Sequence, residues 1–328
     1  MRPFSFVEPR TIEEALLVLR DPNAKARALA GGIDLLGELK DDLVEAEALV
    51  NLKALPGLDT VRADADGALR IGALVTLTAL AAHDKVRRDY PAVAQAAFSV
   101  GSPEIRNVGT VGGNLCQRPR CWYYRSAAHR CLKKGGDVCF TLTGDSRYHA
   151  ILGGGPSFIV HPSDLAPALI AADARVTIAG PGGARALPLQ KFYVLPEVRL
   201  DHETILKPGE VVTEITLPGP SAAAAGWKSR FEKFKEKDSM DFALASVAAA
   251  VKIRNGVVAE ARLVLGGVAP VPWRSPEGER AILRQKIDDD IAMRAAEAAL
   301  AAASPLAHNG YKIPLAKALV RATLLELR

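Results

Sequence analysis

The sequence predicts an α+β fold in more than one domain, and three observations carry this. The 328 residues allow two or three hydrophobic cores. An N-terminal strand pattern runs through the glycine pair Gly31-Gly32 straight into a helical pattern. In the C-terminal third, two apolar runs, Phe242 to Ile253 and Val257 to Leu265, meet at Arg254-Asn255-Gly256. Asn-Gly between such runs is a strong hairpin signal. Helical patterns follow it, which predicts an antiparallel sheet covered by helices.

Composition narrows the classes. Hydrophobic residues make up 49% and charged residues 24%, an ordinary globular balance. The net charge of +5 is spread along the chain and forms no nucleic-acid footprint. No apolar run is long enough for a membrane helix. Met1 to Phe6 lacks the basic and apolar regions of a secretory signal. A cytoplasmic protein is expected, with the periplasm open to it through export with a signal-bearing partner. No Cys/His or Ser/His/Asp nucleophile arrangement is visible, so hydrolysis is not supported.

The elements follow in order. Thr11-Ile12-Glu13-Glu14 is a capping box that opens a helix ending near Asp21-Pro22. Ala26 to Ala30 is a short strand, and Ile33 to Lys40 a helix. A strand, a glycine pair and a helix together present backbone N–H groups to an anion; a plain strand-to-helix turn looks the same. Ala48 to Leu52 and Ala68 to Leu74 read as strands, Thr76 to Val86 and Pro91 to Phe98 as helices. Gly101 to Thr110 carries too much turn chemistry for a regular element and leads into a second glycine pair, Gly112-Gly113-Asn114. Two such loops suit a pyrophosphate held from two sides. Neither is the Gly-x-Gly-x-x-Gly of a dinucleotide-binding Rossmann fold.

Ser163 or Asp164 can cap a helix from Leu165 to Ala172, and Asp164 can instead accept hydrogen bonds from ligand hydroxyls. Val176 to Ile178 and Val211 to Leu217 are strands, with turns at Pro181-Gly182-Gly183 and Lys207-Pro208-Gly209-Glu210. Gly219 to Gly226 reads as a linker, with the alanine run Ala222 to Ala225 inside it. Beyond it come a strand from Trp227 to Lys235, the hairpin, and amphipathic helices over Asp289 to Ala303 and Pro314 to Leu327. His149 and His161 read as ordinary polar residues.

All four cysteines lie in one loop: Cys116, Cys121, Cys131 and Cys139, separated by four, nine and seven residues. Cysteines used as small hydrophobes would be scattered. Disulfides need an oxidising compartment, and structural zinc usually shows Cys-x-x-Cys knuckles, absent here. Irregular spacing with aromatics and glycines between fits an iron–sulfur cluster better, while zinc, disulfides and free thiols stay open. Arg118, Arg120, Arg125, Arg130, Lys133 and Lys134 would offset the negative charge of such a cluster, or form a solvated loop.

Four pieces in sequence order, Ala30-Gly31-Gly32-Ile33-Asp34-Leu35-Leu36, Arg106 to Asn114, Pro162-Ser163-Asp164-Leu165-Ala166-Pro167-Ala168-Leu169 and Lys207-Pro208-Gly209-Glu210, resemble the FAD-binding medium subunit of the molybdenum hydroxylases. That is the family of xanthine dehydrogenase and carbon monoxide dehydrogenase. Lys233 and Asp241-Phe242-Ala243 add a weaker match. The cysteine loop departs from the common pattern. It looks like the insertion of the branch with 4-hydroxybenzoyl-CoA reductase and the periplasmic aldehyde oxidoreductase, where the flavin subunit carries an extra [4Fe–4S] cluster.

The resemblance implies an FAD-binding domain over residues 1–218 of the vanillyl-alcohol-oxidase type, with subdomains at about 1–55 and 56–218 and the cysteine loop at 115–140. A smaller α+β domain would follow over 219–328. It implies FAD contacts at Leu29, Ala30, Gly31, Gly32, Ile33, Asp34 and Leu35, at Val100 and Gly101, at Thr110, Gly113 and Asn114, and at Asp164, Val212 and Lys233. Cys116, Cys121, Cys131 and Cys139 would hold the [4Fe–4S] cluster. Partners would be a molybdenum-cofactor large subunit and a [2Fe–2S] small subunit, with electrons passing through this chain to or from an external acceptor. A stand-alone FAD oxidase and a zinc-stapled interaction protein are the competing readings.

Overall fold

A computed structural model describes residues 1–219 and 226–328. The linker expected at Gly219 to Gly226, with its alanine run, lies outside the described residues except for its two end glycines.

The N-terminal unit runs β1 (Ser5–Val7), α1 (Ile12–Arg20), β2 (Ala26–Leu29), α2 (Leu35–Lys40) and β3 (Ala48–Asn51). Its strands form a parallel sheet in the order β1-β3-β2. Parallel neighbours need crossovers, and α1 and α2 supply them. The capping box forms with one half displaced. Glu14 N–H donates to Thr11 Oγ1 (3.2 Å), but the Glu14 carboxylate reaches back to the Arg10 amide (2.7 Å). The turn from β2 into α2 holds Gly31 and Gly32.

The second unit begins with β4 (Val61–Ala63) and β5 (Leu69–Gly72) and continues through five short helices. These are α3 (Leu77–Ala82), α4 (Asp84–Asp89), α5 (Pro91–Ser99), α6 (Pro103–Val108) and α7 (Val111–Leu115). After the cysteine loop come α8 (Leu165–Ala171), β6 (Arg175–Gly180), β7 (Gly183–Pro188) and β8 (Val211–Leu217). The five strands pair antiparallel in the order β4-β5-β8-β6-β7.

Two expectations need correction here. The helix expected from Thr76 to Val86 is two helices, because His83 is extended (ψ 119°) and breaks the run. The stretch from Gly101 to Thr110 contains a regular element, α6. Ser102 caps it by accepting from Ile105 N–H (3.4 Å), and Pro103 takes the first helical position. Turn-forming residues and N-terminal helix residues are the same types, so composition alone does not separate them.

The C-terminal unit is β9 (Trp227–Phe234), β10 (Ala245–Arg254), β11 (Val257–Gly266), β12 (Trp273–Arg274), α9 (Pro276–Ile282), α10 (Asp289–Ala299) and α11 (Lys312–Leu325). The sheet is antiparallel, ordered β12-β11-β10-β9. Asn255 (φ 51°) and Gly256 (φ 77°) form the expected hairpin turn, with Arg254 opposite Val257. Two positive φ values in a row mark a type I′ turn, which matches the twist of the strands.

Strand β10 shows why the two parts of the chain stay together. Ala248 and Ala250 join the large core of the second unit, while Val247, Ala249 and Val251 join the core under α9, α10 and α11. Alternation along a strand sends neighbours to opposite faces. The sheet is therefore sandwiched between its own helices and α5 and α8, and small alanines let both layers approach closely.

Candidate functional site

The two glycine loops touch. A Cβ on Gly31 would lie 2.3 Å from Val108 O and 3.2 Å from Gly109 Cα, so only glycine permits this approach. Gly32 has φ +75°. Together the loops line a cleft of about 1040 Å³, at the upper end of the size range of small-molecule sites. Ala30, Gly31, Gly32, Ile33, Asp34 and Leu35 line it from one side. Val100, Gly101, Thr110, Gly113, Asn114 and Asp164 line it from the other. Leu29, Val212 and Lys233 do not line the cleft; Leu29 ends β2, Val212 is buried in the core opposite Ile178, and Lys233 lies behind Asp164.

The loops differ in their amides. Among the described residues, the N–H groups from Gly31 to Leu35 donate to nothing else in the chain. In the second loop the amides are taken. Val111 donates to Val75 O (2.9 Å), Gly112 to Ala73 O (2.8 Å), and Asn114 to Thr110 O (2.8 Å). Gly113 donates to Thr110 Oγ1 (3.1 Å). A run of unengaged amides at a glycine turn is an anion-binding concavity. The second loop offers instead the Thr110 hydroxyl and the Asn114 side-chain amide, whose oxygen accepts from Ser163 Oγ (2.5 Å).

Asp164 and Lys233 form a buried ion pair at 2.6 Å, each side chain only 5% exposed. Ser163, not Asp164, caps α8, accepting from Ala166 N–H (3.0 Å). Lys233 Nζ also donates to Asp241 O (2.8 Å) and Ser99 O (3.3 Å). Burial pushes the Asp164 carboxyl up and the Lys233 ammonium pulls against it. This pair ties β9 of the C-terminal unit to the end of the cleft. The Lys207–Glu210 turn has a structural task elsewhere. Glu210 accepts from the Lys207 amide (2.9 Å) and pairs with Arg185 (2.9 Å), and Gly209 (φ +77°) presses against Arg20 of α1.

Asp34 binds protein. Its carboxylate accepts from the Arg118 amide (2.6 Å), Arg120 Nη1 (2.5 Å) and Arg125 Nη2 (2.6 Å). Burial would raise its carboxyl, but the Arg120 and Arg125 guanidiniums beside it hold it below the ordinary range. Arg118 Nε also meets Glu203 (3.0 Å), as does Lys133 Nζ (2.6 Å). Tyr124 donates to Glu38 Oε1 (2.7 Å) between Arg118 and Arg125. Most of the loop's basic residues are thus engaged within the protein, whereas Arg130 is exposed to solvent. Four of them latch the cysteine loop onto α2, the Gly31 loop and the segment around Glu203. Sequence reading missed this latch, because the partners of Asp34 lie 84 to 91 residues away.

None of the four cysteines forms a disulfide. Cys121, Cys131 and Cys139 keep company. Tyr123, two residues past Cys121, stacks on Phe140, which follows Cys139, at 5.9 Å between ring centroids. Lys134 Nζ reaches back to Tyr123 O (3.1 Å). Cys131 closes a short loop to Val138, and Leu132 N–H donates to Val138 O (3.0 Å). Burial pushes the Cys121 thiol up to about 11; the Tyr124 and Tyr123 amides oppose this, and the nearby Cys131 and Cys139 add to it. Cys116 stands apart. It ends α7, packs on the main core and lines the large cleft, and burial alone pushes its thiol up to about 12. Among the described residues no three His, Cys, Asp or Glu side chains are grouped to hold a single metal ion.

A second cavity of about 330 Å³ joins the two sites. Its lining includes Cys121, Trp122 and His149 together with Asp164, Asp241 and Phe242. Arg120 lies over the Phe242 ring at 5.2 Å, where the two cavities share walls.

Unengaged amides on a large cleft, with a buried ion pair from β9 beside it, have the chemistry of a site for an anion-bearing small molecule. Comparison with known proteins specifies which. Residues 2–220 match the family described as "FAD binding domain in molybdopterin dehydrogenase", and residues 229–327 match "CO dehydrogenase flavoprotein C-terminal domain". The chain is 39% identical to the aldehyde oxidoreductase FAD-binding subunit PaoB of Escherichia coli K12, covering 100% of this chain and 99% of that one. It is 27% identical to the carbon monoxide dehydrogenase medium chain of Hydrogenophaga pseudoflava, over 92% and 88% of the two chains. A solved carbon monoxide dehydrogenase structure from the same organism matches with TM-score 0.78 at 26% identity, covering 100% of this chain and 98% of that one. The chain therefore belongs to the FAD-binding medium subunits of the molybdenum hydroxylases. It is an oxidoreductase subunit with the family's α+β architecture, an FAD-binding domain followed by a smaller domain of antiparallel sheet and helices. No helix among the described residues is long and apolar enough to cross a membrane.

Proposed function

We propose that this chain is the electron-transfer subunit of a heteromeric molybdenum hydroxylase, belongs to the branch with a [4Fe–4S] cluster, and works with a molybdenum-bearing large subunit and a [2Fe–2S] small subunit. The carrying observation is the run of unengaged amides from Gly31 to Leu35 facing a cleft of about 1040 Å³. The residues fit FAD: Gly31 and Gly32 present their amides to the pyrophosphate, and the glycine-only contact with Val108 sets the loop's position. On this reading Thr110 and Asn114 complete the opposite wall, and Asp164, steadied by Lys233, accepts from a hydroxyl or ring N–H of the cofactor. Residues 1–218 then form the FAD-binding domain and 219–328 the domain that closes on it.

When bound, FAD exchanges electrons in pairs or singly and an iron–sulfur cluster passes them singly, which suits a relay between [2Fe–2S] centres and an external acceptor. The chain's own residues position the two sites. On this reading Cys121, Cys131 and Cys139 would serve as thiolate ligands, with Cys131 and Cys139 buried and Cys121 partly so. The Asp34 latch fixes the cysteine loop against the flavin loop, and Arg120 with Phe242 forms the wall between them. Support for the cluster comes from the gathering of three thiols and the likeness to an aldehyde oxidoreductase subunit.

Iron, acid-labile sulfide and extractable flavin in the purified complex test this reading. Flavin bands with broad brown absorbance and matching iron and sulfide are expected from this chain. Flavin with no more iron and sulfide than the small subunit's [2Fe–2S] centres supply would discard the cluster and keep the FAD, and a complex without extractable flavin or that additional iron would overturn both.

A further inference from the structure

We infer that the fourth ligand of the cluster is His149, and that Cys116 is a core thiol outside the cluster. This rests on the proposal that Cys121, Cys131 and Cys139 hold a [4Fe–4S] cluster, which leaves one corner to fill.

The geometry favours the imidazole. His149 Nε2 lies 3.2 Å from Cys121 Sγ. The residue is 2% exposed, and its Nδ1 has no hydrogen-bond partner. A buried imidazole whose one polar partner is a cysteine sulfur is poorly satisfied by protein alone. The site is also built around it. The His149 ring meets Trp122 at 5.9 Å and Tyr123 at 6.2 Å, the same two residues that follow Cys121. Its backbone is pinned: His149 N–H donates to Ser146 O (3.0 Å), and the buried Asn309 side chain donates to His149 O (3.1 Å). The imidazole is thereby presented to the thiol group by a rigid frame.

Imidazole replaces thiolate on iron in some protein clusters, and there it raises the reduction potential. Cys116 is placed differently. It caps α7 at the flavin loop, its neighbours are the main core and Tyr193, and it lines the large cleft rather than the cavity at Cys121.

The test compares three variants of the purified complex by iron and sulfide content and by the EPR spectrum of the reduced cluster. Cys116→Ala is expected to keep the wild-type iron content and spectrum. His149→Ala is expected to lose most of this chain's iron while keeping its FAD, which reports that the chain still folds. His149→Cys is expected to restore the iron with an altered spectrum and a lower potential. Loss of iron from Cys116→Ala together with unchanged iron and spectrum in His149→Ala would overturn the assignment. Wild-type complex without cluster iron in this chain would instead remove the cluster proposal on which the assignment depends.

Discussion

The two glycine pairs look alike in sequence and do different work in the fold. At Gly31-Gly32 the missing side chains let one loop press against Val108 while five consecutive amides stay unengaged. At Gly112-Gly113 the missing side chains serve the protein itself: a Cβ on Gly112 would lie 2.9 Å from Ala73 Cβ, and the local amides are bonded within the chain. On the proposed reading the first loop supplies the anion-binding amides, while the second lines the opposite wall and spends its amides on its own support. A glycine pair therefore shows that a close approach occurs, and hydrogen-bond bookkeeping shows what approaches.

Substitutions can break this contrast. Gly31→Val forces the two loops apart, and FAD retention should weaken by ~100-fold or more, about 3 kcal/mol. Equilibrium dialysis with flavin fluorescence reads this; near-normal affinity would mean that the first loop is not the anion site. Asp34→Asn should cost about 2–3 kcal/mol in stability, because a carboxylate hydrogen-bonded by two guanidiniums is lost. Denaturant unfolding checks it, and urea curves against pH sharpen it. The folded Asp34 titrates below its ordinary 3.8, so the unfolded chain takes the proton first as the pH falls. Its stabilisation is complete above about pH 5 and drains away as the pH drops through the folded value. The variant should lose that part of the acid limb. Glu38, pushed up by burial and by the neighbouring Asp34 charge, works in the opposite sense, and Asp34→Asn relieves the part that comes from Asp34.

In the supporting loop the expected effects are smaller and fall on stability. Gly112→Ala overpacks the contact with Ala73 and should cost about 1–2 kcal/mol, with FAD affinity within ~3-fold of wild type. Thr110→Val removes the side-chain acceptor for Gly113 N–H and should cost about 1 kcal/mol in thermal or urea unfolding. A loss of FAD affinity from Gly112→Ala as large as that from Gly31→Val would erase the distinction between the loops.

The legible and illegible parts divide along the same physical line. The strand Val211–Leu217, the hairpin turn at Asn255-Gly256 and the two glycine loops were readable because each is specified by neighbours in sequence. Helix α6 was hidden by Ser102-Pro103-Glu104, which serves a turn and a helix N-terminus equally well. The Asp34 latch was invisible because charge alone does not choose among many arginines; the fold chooses. His149 read as an ordinary polar residue for the same reason. Only tertiary packing sets it against Cys121, 28 residues earlier. Val212 lies in a strand core opposite Ile178, where no local signal separates a lining residue from a buried one.

An experimental structure of the FAD-loaded complex tests the central claim most directly, read at the cofactor pyrophosphate. The account predicts its oxygens within hydrogen-bonding distance of the amides between Gly31 and Leu35. A pyrophosphate bound elsewhere, with those amides facing only solvent, would contradict it.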